Sequence, residues 1–313
     1  MRPAWIDARR AWSRQDGMDA AQALARRLQG AGTRVLASLI DNSVAWAVLD
    51  QACRMAGVVH VPLPLFFTPD QVGHALALSG AQALVCPVPM ARRWPEAPID
   101  AVVVAEEPLA HVWLPRTAAP PVLPPGTAKV TFTSGTTGTP KGVCLGEAGL
   151  QVVARSVAQT LGPLGVHRHL CALPLAVLLE DVAGLQAAWA AEATAIVLPL
   201  AELGWQGSSS FDVARFHAAV TVHAPDSLIL LPQMLAAWAA YLGARQQRAP
   251  ASLRFVAVGG APVGAELIAR ARLLGLPVYE GYGLSEGGSV QTLNHPGADR
   301  PGSVGRPLPH ARV

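Results

Sequence analysis

The stretch Thr131-Phe132-Thr133-Ser134-Gly135-Thr136-Thr137-Gly138-Thr139-Pro140-Lys141-Gly142 follows a β-like run at Lys129 to Thr133. Five of its threonines fall within nine residues. Small hydroxyl side chains and glycines let backbone N–H and side-chain O–H groups converge on one concave site, and Lys141 adds a compact positive charge. That chemistry suits a polyphosphate. The loop is not a Walker A loop: read from Gly135, G-x-x-x-x-G-K-[ST] requires Gly at 140 and Ser or Thr at 142, where the chain has Pro140 and Gly142. A flexible Ser/Thr/Gly linker is the bland alternative, but linkers rarely follow a buried strand and end in Pro-Lys-Gly.

The second chemical segment is Tyr279-Glu280-Gly281-Tyr282-Gly283-Leu284-Ser285-Glu286-Gly287, a strand running into a glycine-rich turn with a carboxylate. Mg²⁺ takes one or two protein carboxylates and shares its remaining positions with phosphate and water, so Glu286 is a candidate metal ligand. Gly283-Leu284-Ser285-Glu286-Gly287 also satisfies G-x-S-x-G, the nucleophile elbow of a hydrolase, with Asp299 and His310 following in the order acid, histidine. An elbow needs a helix directly after its serine, whereas Gly287 to Leu293 reads as a turn into a β-like run. That disfavours Ser285 as a nucleophile.

These residues resemble the adenylate-forming superfamily of acyl-CoA synthetases, aryl-acid ligases, luciferases and peptide-synthetase adenylation domains. The Thr133 to Lys141 loop is similar to the family's phosphate loop, and Tyr282-Gly283-Leu284-Ser285-Glu286 to its Tyr-Gly-x-Thr-Glu motif, with Ser285 for Thr. Val258-Gly259-Gly260-Ala261-Pro262 resembles the adenine-binding turn. Leu173-Pro174-Leu175-Ala176, followed by Glu180, resembles the long-chain fatty acyl-CoA ligase form of the acyl-lining motif, with Val177 where the family usually has His. Gly302 to Pro309 resembles the lead into the small β subdomain, and Asp41-Asn42-Ser43 to Pro62-Leu63 also fits. The resemblance implies a nucleotide site built from Thr133, Ser134, Gly135, Thr136, Thr137, Gly138, Thr139, Lys141, Gly260, Ala261, Pro262, Gly281, Tyr282, Gly283 and Ser285. Tyr282 would flank adenine, Ser285 would contact the α-phosphate, and Glu286 would hold Mg²⁺. Lys141, Ser285 and Glu286 would be the catalytic set, and Val177, Leu178 and Gly281 would touch the acid.

The implied reaction activates a carboxylic acid with ATP to acyl-AMP and passes the acyl group to a thiol, either CoA or the phosphopantetheine of an acyl carrier protein. The family continues with a Thr-Gly-Asp motif and a lysine-bearing C-terminal domain, neither of which occurs here, so the expected chain is the N-terminal part of a two-domain ligase. A fragment of that kind is expected to bind ATP weakly and adenylate poorly. A catalytically silent nucleotide-binding homologue is the alternative.

The elements that position these loops read as βα units. β-like runs at Thr33 to Ile40, Val58 to Val61, Ala83 to Cys86 and Ala101 to Ala105 are interleaved with helical patterns at Ser43 to Met55 and from Thr68 to Gly80. Thr68-Pro69-Asp70-Gln71 supplies an N-cap, a first-turn Pro and an N3 Gln. A connector, Pro115 to Gly126, contains five prolines. Beyond it, helices are expected at Glu147 to Thr160, Asp181 to Ala190, from Pro232, and at Val263 to Leu274. Strands are expected at Leu170 to Leu173, Ala195 to Leu198, Ser227 to Leu231, Leu253 to Val258 and Pro277 to Glu280. The strands are nearly continuous in apolar residues, as parallel strands covered on both faces should be. The fold class is therefore α/β, with layered parallel-sheet subdomains: a large domain over 1–295 with a seam at 165–175, and the start of a truncated β subdomain over 296–313.

Composition closes off other classes. Apolar residues make up 51% of the 313 and charged residues 14%, against about 25% in an average soluble domain, which excludes a disordered chain. Mean hydropathy is +0.32, but the longest uncharged stretches are broken by Pro and polar residues, so no transmembrane segment is expected. The N-terminus has no secretory h-region, and the expected location is the cytoplasm. The net charge of +3, from 24 basic and 21 acidic residues, comes from scattered arginines without a stripe, which argues against nucleic acid as a partner. Only Lys129 and Lys141 are lysines, so each stands out. Cys53, Cys86, Cys144 and Cys171 lack zinc spacing and read as buried thiols, and His167 and His169 read as solvated loop residues without a role.

Overall fold

In the computed structural model, which describes residues 2–115, 121–133, 140–207 and 210–312, the local signals act as their chemistry demands. Thr68 accepts from the Gln71 N–H, the Gln71 side chain returns a bond to the Thr68 N–H, and Pro69 opens the helix Pro69–Ser79. Gly80 ends that helix at φ 64, a left-handed conformation that glycine adopts without a Cβ penalty. The chain forms two compact units, one of Met1–Ala11 with Leu150–Val313 and the other Trp12–Gly149. The division therefore lies in the first turn of the helix Glu147–Leu161, ahead of the expected 165–175.

Unit Trp12–Gly149 is built on a seven-stranded sheet. Its order is Ile99–Val104, Glu107–Trp113, Ala83–Pro87, Val35–Ser38, Val59–Pro62, Thr127–Thr133 and Lys141–Gly146. Only the central strands run parallel. Glu107–Trp113 is antiparallel to both neighbours, and Lys141–Gly146 is antiparallel to Thr127–Thr133. Ile99–Val104 is thus an exposed edge strand rather than a parallel strand covered on both faces. The core gathers Leu39, Val61, Leu63, Leu84, Val112 and Val130. The helix Arg14–Gly30, absent from the periodicity reading, opens on a Ser13–Asp16 capping box and buries Gly17, Ala21, Leu24, Ala25 and Leu28 on one face.

The second unit orders its principal strands as Arg306–Pro307, Ser289–Leu293, Val278–Leu284, Phe255–Val258, Ser227–Leu230, Arg168–Leu170, Thr194–Ile196 and Trp5–Ile6. The pairs from Val278–Leu284 through Trp5–Ile6 are parallel, as expected, and the last two strands turn antiparallel. Trp238, Phe216, Phe255, Leu228, Leu230 and Val256 are at the centre of its core. The expected helix over Asp181 to Ala190 forms differently: Leu179–Gln186 is a π-helix, and only Ala187–Ala190 is α-helical. Such widened turns are rare and occur often at functional sites.

Candidate functional site

Parallel register aligns the strand ends at Leu230, Val258 and Glu280. Past these ends lie the two expected motifs, where an open α/β sheet binds ligands. Gly260, Ala261 and Pro262 form an exposed turn between Phe255–Val258 and the helix Ala265–Leu273. Gly260 has φ 84, and a Cβ on Gly259 would lie 3.1 Å from the Gly281 carbonyl oxygen. The turn and the Gly281–Glu286 segment are therefore in close backbone apposition. The Val263 N–H donates to the Glu280 carboxylate at 3.3 Å, a second tie between them.

Tyr282, Gly283 and Leu284 stay paired with the strand Ser289–Leu293 across a bulge between Tyr282 and Gly283, and Tyr282 is 49% exposed. A side chain on Gly283 would overlap the Ser289 carbonyl, so this position must be glycine. Ser285 opens a single 3₁₀ turn, Ser285–Gly287, that leads through Gly288 into the strand Ser289–Leu293. Ser285 is half-buried and Glu286 exposed. The hydroxyl and carboxylate sit on consecutive residues of one turn, an all-oxygen donor set suited to Mg²⁺. No helix follows Ser285, and Asp299 is engaged by Arg272 at 2.7 Å, so the nucleophile-elbow reading fails.

Three supporting residues were not singled out in the sequence for this site. The buried Asn294 donates its backbone N–H and its side-chain amide to the Glu280 carbonyl, at 3.0 and 3.1 Å, and accepts from the Arg300 N–H at 2.9 Å. Glu280 binds the neighbouring turn, as above. Ser289 holds φ 120, a strained value for a residue with a side chain, and its buried hydroxyl meets no partner among the described residues. Burial pushes the Tyr279 hydroxyl up, against the pull of Arg272 beside it. None of these roles follows from a motif, because each depends on register across the Val278–Leu284 and Ser289–Leu293 strands.

In the other unit, Thr133 pairs with Lys141 across the hairpin Thr127–Thr133 and Lys141–Gly146. Ser134, Gly135, Thr136, Thr137, Gly138 and Thr139 lie outside the described residues. Lys141 is exposed at the start of its strand, and the Pro140 carbonyl accepts from His74 Nε2 at 3.1 Å. Lys129 differs: it is 2% exposed, and its Nζ meets Asp50 Oδ1 at 2.8 Å. Asp50 also binds His60 Nδ1 at 2.7 Å and faces Arg54 at 3.3 Å. Burial alone would push the Asp50 carboxyl up; Lys129, Arg54 and His60 override it and hold it well below the usual carboxylate range.

The acyl-lining residues belong to the unit that contains Leu150–Val313. Val177 is half-buried and Leu178 buried, directly ahead of the π-helix. His169 corrects the solvated reading: it is buried, on the strand Arg168–Leu170, with Nδ1 2.9 Å from Ser227 Oγ and Nε2 2.8 Å from Glu180 Oε1. Glu180 Oε2 accepts from the Leu173 N–H at 2.9 Å. A side chain at Gly184 would overlap the Glu180 carboxylate. Cys171 joins His169 and Glu180 with ligand-type atoms within 4.8 Å of one another, a grouping that chain spacing alone conceals. Burial, with the negative charges of Glu180 and Asp181, pushes the Cys171 thiol well up.

Layered α/β units with glycine turns and a hydroxyl–carboxylate turn past the strand ends are the architecture expected of the adenylate-forming superfamily. The chain belongs to the AMP-binding enzyme family, whose model matches residues 1–313. It is 32% identical over 275 residues to a feruloyl-CoA synthase of an Amycolatopsis species, covering 84% of this chain and 52% of that protein. The chain thus spans about half the length of that curated relative. Among solved structures, the anthranilate CoA ligase AuaEII with anthranoyl-AMP matches with a TM-score of 0.79 at 18% identity, covering 98% of this chain and 62% of that one. The O-succinylbenzoate coenzyme A synthetase of Bacillus subtilis, with ATP and magnesium ion, matches with a TM-score of 0.75 at 24% identity, again covering 98% and 62%. Among the described residues, no helix is long and apolar enough to cross a membrane.

Proposed function

We propose that this chain supplies the nucleotide- and acid-binding part of an ATP-dependent acid–thiol ligase. The observation that carries this reading is the apposition of Gly259–Pro262 with Gly281–Glu286 past the ends of adjacent parallel strands. In the proposed reaction a substrate carboxylate oxygen attacks the α-phosphorus of ATP, the bond to the β-phosphate oxygen breaks, and pyrophosphate leaves. A thiol, from CoA or a carrier-protein pantetheine, then attacks the acyl carbon and AMP departs. Charge develops on the departing pyrophosphate, so fixed donors and a nearby cation lower the barrier most. Ser285 donates toward the α-phosphate and Tyr282 flanks the adenine; for Lys141, on the other unit, the family resemblance implies the positive charge of the phosphate loop. Glu286 and the Ser285 hydroxyl would hold Mg²⁺, which when bound neutralises phosphate charge. Val177, Leu178 and Gly281 face the acid in this scheme, and the apolar run Val177-Leu178-Leu179 favours an aliphatic or aryl acid over an amino acid.

Acid-dependent release of pyrophosphate from ATP, measured across a panel of aliphatic, aryl and amino acids, tests the proposal. Release with an aliphatic or aryl acid, lost in Ser285→Ala and Glu286→Gln, is expected. Val177 in place of the family's His favours a second reading, a silent nucleotide-binding homologue, which would bind ATP and release no pyrophosphate with any acid.

A further inference from the structure

Two cavities of about 30 and 40 Å³ adjoin inside the unit that carries Gly281–Glu286, and both are lined by Val157, Leu161, His169, Ala183 and Ser227. The front cavity is completed by apolar residues including Leu179, Phe255, Val290 and Leu293. Leu179 follows Val177 and Leu178 in the chain, while Leu293 and Val290 pair with Gly281 and Gly283, so this cavity adjoins the residues assigned to the acid. The rear cavity is walled by small residues, among them Gly184, Ala187, Ala188 and Ala191. The polar residues that line both cavities are His169 and Ser227, with Glu180 bonded to the ring of His169. Burying polar groups beside apolar space is costly unless their bonds are made. Here they are: the imidazole bridges Ser227 and Glu180, and the carboxylate also takes the Leu173 N–H. Gly184 leaves the room the carboxylate needs. The ring is therefore held in one orientation from both of its nitrogens, a rigid polar wall between two apolar compartments.

We propose that His169, locked by Glu180 and Ser227, is the partition that sets how long an aliphatic acyl chain the site accepts. This rests on the ligase reading above. In the native chain the acyl group fills the front compartment and stops at the imidazole, and the rear compartment is space that opens only when the ring is removed. His169 is a specificity-determining residue and takes no part in the chemistry.

The test uses a ladder of straight-chain acyl sulfamoyl adenosines, from acetyl to palmitoyl, titrated calorimetrically into the full chain and into His169→Ala and Ala183→Leu. Each methylene that still finds apolar space should tighten binding about fourfold, up to a length at which the gain stops. Removing the imidazole should move that break to longer chains while the shortest analogues keep their affinity. Ala183→Leu, which adds bulk at the same partition from the helical side, should move it to shorter chains. If His169→Ala fails to fold, as circular dichroism would reveal, the Ala183→Leu arm decides. A break that stays at the same length, or a uniform loss at every length, overturns the proposal and leaves His169 as a clamp of the fold. Failure of every analogue to bind, whatever its chain, overturns the ligase reading and this inference with it.

Discussion

Lys129→Met removes the cation from a carboxylate that water cannot reach. Asp50 is 1% exposed and meets Lys129 at 2.8 Å, so the variant leaves a buried charge with Arg54 at 3.3 Å and His60 at 2.7 Å as its remaining partners. Breaking a buried pair by deleting one partner costs roughly 3–5 kcal/mol, and the two surviving partners place this case at the low end, about 3 kcal/mol. At roughly 2–4 °C per kcal/mol for a body of this size, the transition should fall by about 10 °C. The pH dependence gives a second, independent signature. The folded Asp50 carboxyl is held low, so its stabilisation is present above the unfolded value of about 3.9 and is lost as pH falls through the folded value. Without Lys129 that carboxyl rises toward the value burial alone dictates and takes up a proton sooner. The gap between native and variant chains should therefore be full at neutral pH and narrow as the solution is acidified. Replacing both partners with apolar residues, Asp50→Leu with Lys129→Met, should cost less than the two single losses added together. Urea denaturation followed by circular dichroism between neutral pH and about pH 4 measures all three quantities. A loss below about 1 kcal/mol, the same at every pH, would mean that the pair is solvated and would refute the reasoning.

Further outcomes follow from the same geometry. Cys144 is half-buried, whereas burial holds the other thiols back, pushing Cys86 to about 11 and Cys53 and Cys171 upward as well. Ellman titration near pH 8 should find one fast thiol in the native chain, absent in Cys144→Ala, and all four after denaturation. Gly283→Ala forces a methyl group into the Ser289 carbonyl, and overpacking of that kind costs about 1–3 kcal/mol. Denaturation should register the loss, and calorimetry should register weakened ATP binding. Glu286 is exposed, so Glu286→Gln should change stability by less than about 0.5 kcal/mol, while binding of Mg²⁺–ATP falls on the order of tenfold.

Short-range chemistry made much of this fold legible in the sequence. The Thr68 cap, the Gly80 stop and the apolar runs at Val35–Ser38, Ser227–Leu230 and Phe255–Val258 each state their conformation locally. Glu107–Trp113 and Lys141–Gly146 were not read as strands, because antiparallel partners impose order on segments whose own pattern is weak. The π-helix at Leu179–Gln186 is likewise a tertiary outcome, with Glu180 drawn inward to His169 and the Leu173 N–H. At the site, Gly260, Tyr282, Ser285 and Glu286 stand in recognisable motifs. Glu280, Asn294 and Ser289 do not, since their positions depend on how strands are registered. His169 is the clearest example: a histidine two residues from another carries no local sign of burial, which comes from its place on the strand Arg168–Leu170 between two parallel neighbours. Lys129 and Lys141, equally rare in composition, separate completely once one is found inside an ion pair and the other at an exposed hairpin end.

In the proposed ligase, Gly259–Pro262 and Gly281–Glu286 together form the nucleotide site. Its most direct test is the equilibrium binding of a hydrolysis-resistant acyl sulfamoyl adenosine to the native chain and to Ser285→Ala, measured by calorimetry. Saturable one-to-one binding is expected, displaced by ATP and weakened by about tenfold in Ser285→Ala, the worth of one hydrogen bond to a charged group. Binding that is unaffected by Ser285→Ala, or no saturable binding by the folded native chain, would contradict it.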